Sequence, residues 1–181
     1  MSRKAVIILI VLVVLAVISF LFFSKGNRPS PPGHVELNHD GLEISISYSR
    51  PSVRGRVIFG TEEEGALQVY DKYWRLGANE ATEISFSKNV NFNGKPIDAG
   101  TYSMYAIPGS ESFTIVLNSE VNKSGAPEPD HNKDVLQVEV PVRKTTMSTE
   151  QFTVLLKPMG PSINIIFDWA TTQFVIPVTS Q

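Results

Sequence analysis

The chain has 181 residues, room for one ordinary domain and an appendage. Its formal charge is −2, but the first 33 residues hold four Lys/Arg and no acid, which leaves 12 basic against 18 acidic residues and a formal −6 in the rest. A body so acidic excludes nucleic acid as the expected partner and gains nothing from anionic lipid. Cysteine is absent, so disulfides, thiol nucleophiles and lipid attachment through a thiol are excluded; a body of about 145 residues can bury a sufficient core without staples.

Met1 to Lys4 reads as a short cytoplasmic N-terminus. Ala5 to Phe23, AVIILIVLVVLAVISFLFF, carries no charge. At ~1.5 Å per residue it reaches roughly 28 Å, close to a hydrocarbon core of about 30 Å. It is longer than the roughly 7–15 apolar residues of a cleaved signal peptide, and Phe22-Phe23-Ser24-Lys25 lacks the small residues that cleavage needs. The expectation is an uncleaved, single-pass signal anchor that partners the lipid bilayer through residues 5–23. Arg3 and Lys4 before the run nearly balance Lys25 and Arg28 after it; the short basic N-terminus favours N-inside, with the body outside the cytoplasm.

Ser24 to Gly33, SKGNRPSPPG, reads as a linker that its prolines keep extended and semi-rigid. From residue 34 onward the hydrophobic period is two. Leu42, Ile44, Ile46 and Tyr48 alternate with polar residues, as do Thr82, Ile84 and Phe86; Phe113, Ile115 and Leu117; Leu136, Val138, Val140 and Val142; Phe152, Val154 and Leu156; Ile163, Ile165, Phe167 and Trp169; and Phe174, Ile176 and Val178. Such alternation predicts half-buried strands. Asn93-Gly94, Pro108-Gly109 and Lys157–Ser162 supply turns. The expected architecture is all-β: eight to ten short strands in an immunoglobulin-like or related two-sheet β-sandwich. Asp98-x-Gly100-x-Tyr102 matches a tyrosine corner, in which the hydroxyl bonds back to upstream backbone; the competing reading is an ordinary turn before a strand.

Chemistry-bearing motifs are few. His34, His39 and His131 have no metal-ligand spacing. Asp130, Asn132 and Asp134 open like a calcium loop, but Val135 and Pro141 stand where Gly and Glu are needed; no metal and no cofactor are expected. There is no nucleophile elbow and no Ser-x-x-Lys, and no catalytic residue is assigned. Glu80 and Asp168 could form a glycosidase-like carboxylate pair only if the fold sets their separation. The arginines stand out, since four of the body's five fall between Arg50 and Arg75. A guanidinium suits bidentate carboxylate or phosphate contacts and keeps its charge when partly buried. Two readings stay open: loop clamps paired with Glu80, Asp71 or backbone carbonyls, or a polar cleft with Trp74 or Tyr48 as its apolar wall.

YSRPSVRGRVIFG, WRLGANEATEISFS and AGTYSMYAIPG, followed by FTIVLN, KDVLQVEV and FDW, together resemble the bacterial domain of unknown function 2911 family over most of Val35 to Val178. The resemblance implies a secreted or envelope-associated β-sandwich of unassigned activity. Its motifs fall on Tyr48, Ser49, Arg50, Pro51, Gly55, Arg56, Gly60, Trp74, Arg75, Gly77, Asn79, Glu80 and Thr82. Two departures mark this chain: an acidic TEEEG at Thr61–Gly65, and Ser124-Gly125-Ala126 where a tryptophan and a tyrosine are expected. The resulting expectation is an inner-membrane protein facing the periplasm, acting as a binding module for a glycan or an anionic small molecule. Its candidate ligand-binding residues are Tyr48, Arg50, Arg56, Trp74, Arg75, Asn79 and Glu80. The alternatives are a hydrolase of cell-envelope glycans using Glu80 and a second carboxylate, and a purely structural envelope protein.

Overall fold

Alternating side chains become strands because one face of each can leave water while the other stays wet. In β2 (Leu42–Ser49), Leu42, Ile44 and Ile46 are buried, whereas Glu43 and Ser47 are exposed. A computed structural model describes residues 12–15 and 30–181. Of the expected anchor, only Leu12 to Leu15 are described, and they are helical; the rest lies outside the described residues. No helix among the described residues is long and apolar enough to cross a membrane.

The other strands are β1 (Pro32–His39), β3 (Phe59–Gly60), β4 (Gln68–Val69), β5 (Thr82–Phe86), β6 (Val90–Phe92), β7 (Lys95–Ile97), β8 (Gly100–Pro108), β9 (Ser112–Asn118), β10 (Asp134–Met159) and β11 (Ser162–Ser180). Among residues 30–181 the single 3-10 turn at His131–Lys133 is the one helical element. Pro32 and Gly33, read from sequence as linker, are the first residues of β1. Asp40 and Gly41, both at positive φ, join β1 to β2, and Asn93 and Gly94 do the same for β6 and β7. Both are the two-residue turns whose twist matches a hairpin.

Two of the strands are far longer than the short ones expected from sequence. Nine strands form one antiparallel sheet in the order β1-β2-β5-β8-β9-β10-β11-β6-β7, and β3 with β4 makes a small parallel ladder. Continuity comes from β10 and β11, at 26 and 19 residues. The first part of β10 pairs with β9 from Asp134 to Pro141; the remainder pairs with β11. Between Lys144 and Thr153 the register slips twice, and opposite Thr149 sits Ala170 at φ 51°. Such irregularities bend a strand and raise its twist, and here they fold the sheet over its own core. Sequence reading divides β10 because Arg143 to Glu150 bury little on either side.

Aromatic rings fill the fold-over. Trp74 stacks on Trp169 at 5.8 Å and meets Phe152 edge-on at 5.4 Å; Phe59 lies 5.0 Å from Phe113. Where the sheet nearly closes on itself, β10 meets the segment after β2. Phe152 N–H donates to Pro51 O at 2.9 Å, Val53 N–H to Glu150 O at 2.7 Å, and Val154 N–H to the Tyr48 hydroxyl at 3.1 Å. From β8, the Tyr102 hydroxyl donates back to Asp98 O at 3.1 Å, the bond of a tyrosine corner.

Candidate functional site

The segment Arg75 to Glu80 turns under unusual backbone constraint. Leu76, wholly buried, has φ 54°, and Asn79 has φ 59°. Left-handed backbone at a bulky residue costs of order 1–3 kcal/mol and persists only where surroundings enforce it. The enforcement is visible. Thr82 Oγ1 donates to Leu76 O at 2.7 Å, and Asn79 Nδ2 donates to Ser30 O at 3.1 Å and to Ser49 Oγ at 3.3 Å. Between them Gly77, at φ 149°, comes so close to β2 that a Cβ would sit 2.8 Å from Ser49 O.

A strap, residues 122–126, lies against this turn. Gly125 N–H donates to Asn79 O at 3.0 Å and Ala81 N–H to Lys123 O at 3.1 Å. Gly125 leaves room for Arg75, whose Cδ would lie 2.9 Å from any Cβ there. Arg75 Nη1 donates to Asn79 O at 3.4 Å. Turn, strap and the outward face of β1 and β2 enclose an open cleft of about 920 Å³, within the size range of ligand sites. Tyr48, Arg75, Asn79 and Glu80 line it, joined by His34, Ser47, Glu83 and Lys123.

The other three sequence candidates stand elsewhere. Arg50 turns to β10, where Nε donates to Phe152 O at 3.3 Å and Nη2 to Thr153 Oγ1 at 3.2 Å. Arg56 folds back on its own turn, donating from Nε to Val53 O at 3.1 Å and from Nη2 to Ser52 O at 2.6 Å. Trp74 is a core residue, 2 % exposed. Tyr48 serves twice, since its ring borders the cleft over Gly33 while its hydroxyl closes the sheet through Val154. Of the three candidate arginines, then, Arg75 alone joins Asn79 and Glu80 in the cleft. Asp168 accepts from Gln173 on β11 and does not line the cleft, whereas Glu83 does.

The cleft mixes signs. Arg75 and Lys123 bring positive charge, Glu80 and Glu83 negative. His34 Nδ1 and Ser47 Oγ share a hydrogen bond at 3.2 Å, with Glu36 3.5 Å from His34 Nε2. Glu83 accepts the N–H of Asn122 and so helps seat the strap. Donors and acceptors interleave on this concave surface with a larger share of apolar lining, so the cleft can match both polar groups and carbon faces of a ligand. Ser124 and Ala126, at the positions that depart from the family resemblance, are small and line the opening.

Sequence reasoning missed one assembly. Across the strap lies a second hollow of about 290 Å³ bordered by Tyr73, Tyr105, Pro127 and Pro129. Beneath it the Tyr105 hydroxyl donates to Asp134 Oδ2 at 2.8 Å and meets His131 Nδ1 at 2.9 Å; Asn118 Nδ2, wholly buried, donates to Asp134 Oδ1 at 2.8 Å. Burial first, and then the bond to Asp134, push the Tyr105 hydroxyl's pKa far up; burial raises Tyr73 as well. Hydrogen bonds to Asp134 and then Glu128 raise His131. The alternating Asp130, Asn132 and Asp134 signalled this place: Asp130 caps the 3-10 turn through Asn132 N–H, and Asp134 anchors the network. His34, Ser47 and Glu83 carried no signal, being polar residues on the wet face of ordinary strands.

These observations define an all-β domain built on one folded antiparallel sheet, with an open polar cleft beside a constrained turn. The model of the family described as "Protein of unknown function (DUF2911)" matches residues 30–178, and the chain belongs to that family. No curated protein and no solved structure matches it.

Proposed function

We propose that the protein is a membrane-tethered, periplasm-facing binding module that takes a hydroxyl-rich ligand, a glycan of the cell envelope, in the cleft between the 75–80 turn and the 122–126 strap. The observation that carries the reading is the cleft itself: it is concave and open, and a turn held at two left-handed non-glycine residues forms one wall. Strained backbone gathers where function requires a particular side-chain display. Support for the tether is the charge-free run from Ala5 to Phe23. The immunoglobulin-like packing expected from sequence belongs to the same reading, supported by the Tyr102–Asp98 bond and the layered aromatic core.

Screening envelope glycan fragments by thermal shift on the full chain tests the proposal. Glu80 is exposed, so Glu80→Gln should move stability by no more than about 1 kcal/mol while weakening any bound fragment roughly tenfold or more. Fragments that bind Glu80→Gln and wild type alike, or a library in which none binds, would remove the glycan reading. A hydrolase is the second reading, because Glu80 and Glu83 share the cleft; release of reducing ends from a bound fragment, lost in Glu80→Gln, would establish it.

A further inference from the structure

On the far side of the 75–79 turn from the cleft is another concavity, of about 370 Å³. The geometry points to an oxyanion site there, built by Arg56 and Arg75 with Arg54 beside them, and taking the carboxylate or phosphate group of a ligand. Three guanidinium-bearing residues line this hollow with Ser52, Gln68 and Asn79, and among the described residues no carboxylate does. That composition runs against the −6 formal charge of the body that surrounds it.

Backbone carbonyls place the guanidiniums of Arg56 and Arg75. Val53 to Arg56 form a tight turn, with Arg54 at φ 49°, Gly55 at φ 70°, and Arg56 N–H donating to Val53 O at 3.1 Å. Arg56 then spends its Nε and Nη2 on the neutral carbonyls of Val53 and Ser52, and Arg75 its Nη1 on that of Asn79. Neither forms a salt bridge among the described residues. Carbonyls fix the two guanidiniums in position but leave their charge uncompensated, and Nη1 of Arg56 and Nη2 of Arg75 keep donors for a ligand. Glu150 Oε1 accepts the Arg54 main-chain N–H at 3.0 Å, and Glu150 does not line the hollow. Preorganised, uncompensated guanidiniums are what bidentate recognition of an oxyanion needs.

The chain supplies its own reporter. Trp169 lines this hollow and stacks on Trp74, and the chain has no other tryptophan. The purified full chain is titrated at constant ionic strength with sodium phosphate, with sodium glucuronate, and with sodium chloride as the control, following tryptophan emission. Saturable change with phosphate or glucuronate, at concentrations where chloride has no effect, is expected; the anion that saturates at the lower concentration identifies the source. Arg56→Gln should weaken it roughly tenfold, in line with loss of a charged hydrogen bond. Arg56 is exposed, so the variant should fold, and a melting curve checks this. Arg75→Gln should weaken it similarly. Emission that drifts linearly, responds equally to chloride, or saturates unchanged in folded Arg56→Gln overturns the site. Arg56 touches this hollow alone and Glu80 the cleft alone, so failure here and failure of the glycan reading are separable.

Discussion

Arg50 and Arg56 sit six positions apart and carry identical side chains, yet the structure gives them different weight. Arg50 is partly buried and reaches across 102 residues of sequence to Phe152 O, stitching the place where the sheet nearly closes. Its neighbours share the task, for Gln151 Nε2 donates back to Arg50 O at 3.2 Å. Arg56, by contrast, is exposed, and its guanidinium bonds among the described residues lie within its own turn. Arg50→Met should therefore cost about 1.5–3 kcal/mol, the range for hydrogen bonds from a charged group. Arg56→Met should stay within about 0.5 kcal/mol, as surface changes do. Urea melts of both variants decide it, and equal losses would mean that Arg50 is not closing the sheet. The carbonyl acceptors explain why sequence left two readings open. A guanidinium advertises its fit to carboxylates, whereas a partner contributed by the backbone of a remote strand has no side-chain signature.

At the scale of elements, the strap and the residues after it to Pro129 wall both the cleft and the hollow beside Tyr105, and the 3-10 turn follows them. The far end of this stretch is held by His131, which Asp134 Oδ2 and Glu128 Oε1 each approach to 3.2 Å and which also meets the Tyr105 hydroxyl. Because those carboxylates raise the His131 pKa, the fold favours the imidazolium. Its contribution is complete below the unfolded value of about 6.5 and is lost as pH rises through the raised folded value. The second tether, Lys133 to Glu120 at 2.7 Å, raises Lys133 and lowers Glu120 and so persists across this window. Amides from Asn122 to Glu128 should then exchange faster at pH 8.5 than at pH 6 once intrinsic rates are divided out. His131→Gln should abolish the difference. Protection that ignores pH in the wild-type chain would show that His131 does not secure the strap. The long β10 belongs to this scale too. Its buried residues alternate on both sides of Lys144–Glu150, but the bend itself buries little, so an element of 26 residues reads as two.

For the molecule as a whole, the all-β class was legible because a period of two survives in each long strand; closure was not, because it rests on contacts between β2 and β10 a hundred residues apart. The cleft was legible only in part: Arg75, Asn79 and Glu80 lie in one short turn, but His34 and Glu83 reach it through strand register, in which Ser47 pairs with both. Chain order has one further consequence, because the strand that enters the sheet first also borders the cleft. Ser30 O accepts from Asn79, Pro31 O accepts Arg50 N–H at 2.8 Å, and Gly33 lies under the Tyr48 ring. A chain starting at Ser30 should fold and remain in solution, while the full chain, with the run from Ala5 to Phe23, should sediment with membranes. A chain starting at Val35 loses both hydrogen bonds and the Gly33 contact. At about 0.5–1.5 kcal/mol per hydrogen bond, its urea midpoint should fall well below that of the chain starting at Ser30. Equal midpoints would show that residues 30–34 merely lie against the domain, and a full chain recovered from the soluble fraction would remove the tether from the proposed function.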